Sequence, residues 1–295
     1  MDCWGYRASQ FAPPMVASMA IQSDGQLRQL EFPQAVRTTV HIDSRDRDYD
    51  VNPNASDFSI ELPETLKNVS SAVLVSAELP LSYYVFSASR DNTWFTITID
   101  DSTQTVTIPD GNYNMSLMAS RLSQALSNAF PLASITVAFD TLTKKCTISC
   151  PGSTIAIDTT TVTKKSEWGL GYYLGFPRGV VTSGEDSVTG LYVATMNPEN
   201  YLLIDIEELN GISQSALYAA GGSGRKSFAK VPLNGDSYQY NYYDKTLSYV
   251  ELRPQLTKLD KLRVSIRFHD GTLVDLNGGE WSMTLEFACT LTRGL

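Results

Sequence analysis

The chain has 295 residues, 42% of them hydrophobic, 10% aromatic and 19% charged, a composition that supports a sizeable core and excludes wholesale disorder or a collagen-like fibre. Its 23 Lys and Arg stand against 32 Asp and Glu, a formal net charge of -9 that is opposite in sign to what neutralising a phosphate backbone requires, so nucleic acid is not an expected partner. No run approaches the roughly 18 apolar residues of a membrane helix, and the stretch from Met15 to Ile21 is broken by Ser18 with no basic region ahead of it, so neither a membrane span nor a signal peptide is expected.

At this length one domain or two are both open. Residues 1 to 37 lack periodicity, carry Pro13, Pro14 and Pro33, and read as an extended N-terminal arm whose Trp4, Tyr6 and Phe11 are candidates for docking on a partner. From residue 38 period-two alternation dominates, the pattern of strands with one buried face. Candidate strands run from Thr38 to Ile42, Phe58 to Leu62, Ala72 to Leu79, Thr93 to Ile99 and Thr103 to Ile108, the last two joined by a hairpin turn at Asp100 to Ser102. Met115, Met118, Leu122, Ala125, Leu126 and Ala129 break the pattern with helical spacing, behind Asn114 as N-cap and ahead of Pro131 as stop.

Strand patterning then resumes over Ile135 to Asp140, Lys145 to Cys150, Thr154 to Ile157, Leu191 to Ala194, Tyr201 to Glu207, Phe228 to Pro232 and Ser248 to Leu252, with a weak helical turn at Ser166 to Tyr172 and a Gly-rich loop at Gly221 to Gly224. The clearest alternation closes the chain: Leu262, Val264, Ile266 and Phe268 on one strand, then Trp281, Met283, Leu285, Phe287, Cys289 and Leu291 on another. Strands this short and numerous predict an all-β antiparallel sandwich or barrel. Cys3, Cys146, Cys150 and Cys289 are too few and scattered for a disulfide scaffold and read as small hydrophobes in a reducing compartment.

No catalytic, cofactor or metal signature emerges. His41 and His269 are the only histidines, neither with a cysteine or second histidine at zinc-ligand spacing. The run Gly221 to Ser227 fails both spacings of a phosphate-binding loop. Asp46, Asp48, Asp50, Asn52, Asn54 and Asp57 fit the oxygen positions of a calcium loop, but Val51 stands where the sharp turn needs glycine, and Arg45 and Arg47 interleave with the acids. Tyr238, Tyr240, Tyr242 and Tyr243 suit an extended binding loop, since tyrosine supplies contact area at low entropic cost in interfaces and sugar sites alike.

Several segments carry a resemblance: Ile42-Asp43-Ser44-Arg45-Asp46-Arg47, Phe58 to Pro63, Ala77-Glu78-Leu79-Pro80, Ile108-Pro109-Asp110-Gly111-Asn112-Tyr113, Leu174-Gly175-Phe176, Phe228 to Val231, and Asp270-Gly271 with Asn277-Gly278. In this order, over about residues 38 to 292, the chain resembles the penton and minor capsid proteins of the nucleocytoplasmic large DNA viruses. The resemblance implies a single jelly roll from residue 38 to 295, with the surplus strands and the helix forming an insertion around 93 to 165. It also implies a structural, non-enzymatic protein of the virion capsid, assembled in the host cytoplasm. Its partners would be copies of itself, as a homopentamer at the five-fold vertices, together with the major capsid protein and other minor capsid proteins. A cement role between capsomers is the alternative, and a glycan-binding or glycan-cleaving sandwich is a second one.

Overall fold

The computed structural model describes residues 19–21, 27–29, 35–162, 167–183, 186–210, 216–220, 223–233, 240–241 and 248–290. In chain order, a small hairpin of β1 (Met19–Ile21) and β2 (Leu27–Gln29) precedes β3 (Ala35–Asp43) and the 24-residue β4 (Asp57–Pro80). There follow β5 (Trp94–Ile99), β6 (Ser102–Thr107), α1 (Met115–Ala129), β7 (Thr136–Phe139), β8 (Cys146–Ser149), β9 (Ile155–Asp158), α2 (Gly169–Tyr173), β10 (Val180–Thr182) and β11 (Ser187–Thr189). The chain continues through β12 (Tyr201–Ile206), α3 (Glu207–Asn210), the hairpin of β13 (Ala216–Ala220) and β14 (Ser223–Ser227), β15 (Ala229–Pro232) and β16 (Tyr240–Asn241). It ends on the 20-residue β17 (Ser248–Arg267) and on β18 (Ser282–Thr290).

Two strands are long because each serves two sheets. The first half of β4 pairs with the second half of β17 (Asp57↔Ser265 to Lys67↔Lys258), and β17 there also pairs with β12, which pairs with β15. The second half of β4 pairs with the first half of β17 (Val69↔Leu256 to Leu74↔Ser248) and, on its other side, with β18, which pairs with β3 over nine residues without a shift. The chain turns between the halves at Asn68, whose φ of 52° is left-handed, in the stretch between two register shifts of the β4–β17 pairing. Counting each half separately gives two four-stranded antiparallel sheets, β3-β18-β4-β17 and β4-β17-β12-β15, among which the chain alternates as it does in a jelly roll. The inward residues of both form one hydrophobic core: Leu74, Leu285 and Phe287 from one sheet, Phe58, Val264 and Ile204 from the other, all buried.

This pairing joins segments that read as separate strands in the sequence. Phe58 to Leu62 and Ala72 to Leu79 are one strand, as are Ser248 to Leu252 and the segment around Leu262. Ser223 and Gly224 belong to β14 and not to a loop, and β10 and β11 are strands where none is expected. Leu191 to Ala194 is not a strand but an irregular run beyond β11.

Among the described residues, strands β5 to β11 pair only with one another, in a four-stranded sheet (β10-β9-β5-β6) and a three-stranded one (β11-β8-β7). Helix α1 contacts β6 and β7 and buries Met118, Leu122 and Leu126. Asn114 caps it, its side-chain oxygen accepting from Leu117 N at 2.8 Å. Replacing Asn114 with alanine is expected to cost about 1 kcal/mol, readable as a lowered denaturation midpoint. Glycine is required at Gly175, between α2 and Phe176: its φ is +85°, and an added Cβ would lie 2.3 Å from the carbonyl oxygen of Tyr192.

Candidate functional site

In the jelly roll the connections leave alternately from opposite ends. The corners of β4 and β17 and the β12 to β15 connection occupy one end. At the other, among the described residues, lie the β3–β4 loop (44–56), the start and end of the long excursion between β4 and β12, strand β16, and the β17–β18 loop (268–281). Among the described residues that end carries the longest connection, and loops held by a rigid scaffold are where binding surfaces concentrate.

The motif Asp43, Arg45, Asp46 and Arg47 builds the first of these loops. Asp43 caps the turn Ser44–Asp46 by accepting from Arg45 N at 2.9 Å, and the Arg45 guanidinium hydrogen-bonded to it holds its carboxyl below the usual range. Asp46 is exposed. Arg47 is buried and donates to the carbonyls of Ser44 (2.5 Å) and Asn52 (3.0 Å) and to Glu280 (2.6 Å). Ser44 and Tyr49 donate to the same Glu280 carboxylate, and Trp281 Nε1 donates to Ala55 O at 2.7 Å. The motif therefore fastens the β3–β4 loop to the start of β18.

The remaining acids and amides of that loop do not converge on a point. Asp48 accepts from the N–H groups of Asp50 and Val51, Asn52 from Ser59, Asn54 from Ser56, and Asp57 pairs with Arg263. These oxygens shape their own turn instead of ringing a cation.

Two of the other motifs act in the same way. Asp110 accepts from Ala88 N and Ser87 Oγ, Asn112 bridges Val85 N and Tyr83 O, and Asn277 Nδ2 donates to Ser82 O. Together they hold the segment that leaves β4 against the connection between β6 and α1 on one side and the β17–β18 loop on the other. Between the β3–β4 and β17–β18 loops runs an open groove of about 780 Å³. Two arginines that line it are engaged: Arg47 as above, Arg267 with Asp205 (3.1 Å) and Gly271 O (2.9 Å).

Beside this lies a cluster that sequence reading missed. Arg90, Glu167, Glu199 and His269 come from the turn after β4, the segment ahead of α2, the approach to β12 and the end of β17. Arg90 sits 2.5 Å from Glu199, 3.8 Å from Glu167 and 4.0 Å over the ring of Phe268, and donates to Val85 O. His269 lies between the carboxylates, Nε2 at 3.6 Å from Glu167 and Nδ1 at 3.8 Å from Glu199. Burial opposes ionisation of Glu199, but its contacts with His269 and Arg90 outweigh burial and hold its carboxyl below the usual range. Glu167, Glu199 and His269 place ligand-type atoms within 4.8 Å of one another, a spacing suited to one ion. The guanidinium of Arg90 already serves the two carboxylates as their fixed cation, so the group is an ion-pair network.

A family model matches residues 30–250 of the chain, from ahead of β3 into β17. The chain belongs to DUF5901, a family of unknown function. No curated protein matches it. Among solved structures, this DUF5901 chain is similar to the mavirus penton protein at 13% identity and TM-score 0.44, covering 86% of this chain and 99% of that one. It is also similar to a chain of the Sputnik virophage structure at 11% identity and TM-score 0.43, covering 87% and 98%. Both likenesses are loose, and the jelly-roll assignment stands on the DUF5901 chain's own strand pairing.

Of the assembly candidates, Trp4, Tyr6, Phe11, Tyr238, Tyr242 and Tyr243 lie outside the described residues. Tyr240 falls in β16, whose pairing with Pro80 and Leu79 puts it at the loop-bearing end. No helix among the described residues is long and apolar enough to cross a membrane.

Proposed function

We propose that the chain is a structural protein of a viral capsid, the penton that fills the five-fold vertices of a large icosahedral DNA virus. The observation that carries this reading is the two-sheet jelly-roll pairing, combined with the ordered motifs of the capsid resemblance, three of which supply contacts that shape the loop-bearing end. A ring of copies needs two different patches on each subunit, held at a fixed angle. Sheets joined through two shared strands supply a rigid body, and the loops at one end supply the surface that can be varied. The tyrosine segment around Tyr240 is the proposed contact with neighbours, with the N-terminal arm carrying Trp4, Tyr6 and Phe11 as a second tether. Neighbours are other copies in a homopentamer, the major capsid protein and other minor capsid proteins, within a virion assembled in the host cytoplasm. The function involves no bond-making step and no cofactor.

Native mass spectrometry of the purified chain, with five-fold averaged imaging of particles, tests the proposal. A five-copy ring and density at the vertices are expected. A monomer found between hexagonal capsomers would shift the role to cement, and a chain absent from particles would end the capsid reading.

A further inference from the structure

The described surface carries two apolar spots whose rims have opposite charge. The first is the tip of the β3–β4 loop, where Tyr49 and Val51 are both more than half exposed and Asp46, Asp48 and Asp50 are exposed around them. The basic groups of this loop are engaged elsewhere: Arg45 pairs with Asp43, and Arg47 turns inward to Glu280. The three aspartates therefore leave the tip negative. Its shape is set by the backbone, since Asn52 N donates to Asp48 O at 2.7 Å and the Asp48 carboxylate accepts from Asp50 N and Val51 N.

The second spot lies in the insertion. Leu191, Tyr192 and Val193 follow one another along the chain, each more than half exposed, and no other three consecutive large apolar side chains among the described residues are exposed together. They are held outward by the backbone beneath them. Gly190 N donates to Cys146 O at 2.8 Å, Tyr192 N to Gly175 O at 2.9 Å and Ala194 N to Lys144 O at 3.0 Å, and the flanking Gly190 and Ala194 are buried. These bonds lay the run beside the start of β8, where Lys144 and Lys145 stand and where the exposed Leu142 tips the β7–β8 turn. Asp140, the acid of that turn, accepts from Leu142 N and Thr143 N, and the two lysines outnumber it.

We propose that the two spots are the halves of one contact between copies of this chain. The tip of one subunit seats Tyr49 and Val51 on Leu191, Tyr192 and Val193 of the next, and Asp46, Asp48 and Asp50 face Lys144 and Lys145 around that apolar centre. The inference rests on the penton reading and adds to it the surfaces by which a ring closes.

Charge selects a second copy as the occupant. Copies of a chain with net charge -9 repel one another on average, so they associate where opposite signs meet. One chain supplies both halves, the tip on the sandwich and the run in the insertion. A contact between unlike patches leaves each subunit one further half to offer, which is the head-to-tail geometry of a ring. An apolar centre with a charged rim is the common anatomy of such contacts, and because both halves are preset by backbone hydrogen bonds, little order has to be gained on association.

The test uses the full chain, with native mass spectrometry and sedimentation over a range of concentrations. The tip variant, Asp46→Lys with Asp50→Lys, and the patch variant, Lys144→Glu with Lys145→Glu, each bring like charges together at every contact and should weaken ring formation at least about tenfold. All four substitutions in one chain set opposite signs against each other again, and the ring should return. None of the four side chains is buried, so denaturation midpoints at low concentration should stay near that of the wild type, which separates lost association from lost folding. A second measurement is independent of charge: Val51→Cys with Val193→Cys should link copies into a ladder under oxidised glutathione, and either substitution alone should not. A wild-type ring that either charge variant leaves intact, or that the combined reversal does not restore, would overturn these surfaces and leave the penton reading standing. A wild type that forms no ring would remove both. Should a charge variant fail to fold, the ladder decides alone, and its absence overturns the contact.

Discussion

Arg90→Met is expected to destabilise the protein by about 3–5 kcal/mol, the range for removing one partner of a buried ion pair and leaving the other charge uncompensated. Arg90 is 5% exposed, and its charge is offset against burial by the carboxylates of Glu199 and Glu167. Methionine restores most of the packing against Phe268 but none of the charge, so Glu199 and Glu167 would lose the guanidinium they share. The signature lies in the pH dependence. Wild-type stability should fall on acidification through the depressed value of Glu199, and the variant should fall less, because much of that depression is gone. The gap between the two should therefore narrow below about pH 4.5, the ordinary value for glutamate. Adding Glu199→Gln to Arg90→Met should recover part of the loss. Urea titrations across pH check all of this, and a single variant costing under about 1 kcal/mol would mean that the network is solvated and not buried.

Phe287→Ala is the second large effect, at about 3–5 kcal/mol for truncating a fully buried aromatic. Phe287 is 0% exposed at the centre of β18, paired with Thr38 of β3 on one side and Ala72 of β4 on the other. A strand held on both sides cannot close in on a void, so cavity and lost contacts both count. Phe287→Leu, which leaves a smaller void, should cost markedly less. Equilibrium denaturation of the pair measures both, and near-equal small losses would show that the neighbouring sheet relaxes into the space.

Helix α1 was legible in the sequence because every signal agreed: Asn114 ahead of it, Pro131 beyond it and apolar residues on one face. The final strand was legible because its alternation is unbroken from Trp281 to Cys289. The corner of β4 was not, since Pro63, Glu64, Lys67 and Asn68 have the composition of a loop while Leu66 and Lys67 still pair with Leu259 and Lys258. Pairing of that kind is set by the partner strand and leaves no periodic trace. The network of Arg90, Glu167, Glu199 and His269 was invisible for a related reason: its members stand 77, 32 and 70 positions apart along the chain. Lone charged residues at such distances read as surface until the fold brings them together, and His269 drew notice only as a poor zinc ligand. The Asp43 to Arg47 motif was found, but its chemistry, a clamp on Glu280, depends on a loop more than two hundred residues away.

Because β4 and β17 each run through both layers, neither layer can slip by one residue unless the other slips with it. Load applied to one face must travel along continuous backbone, through the corner at Asn68, into the opposite face. The body therefore answers a push as a single folded plate, and give under strain is left to the segments that emerge from one rim.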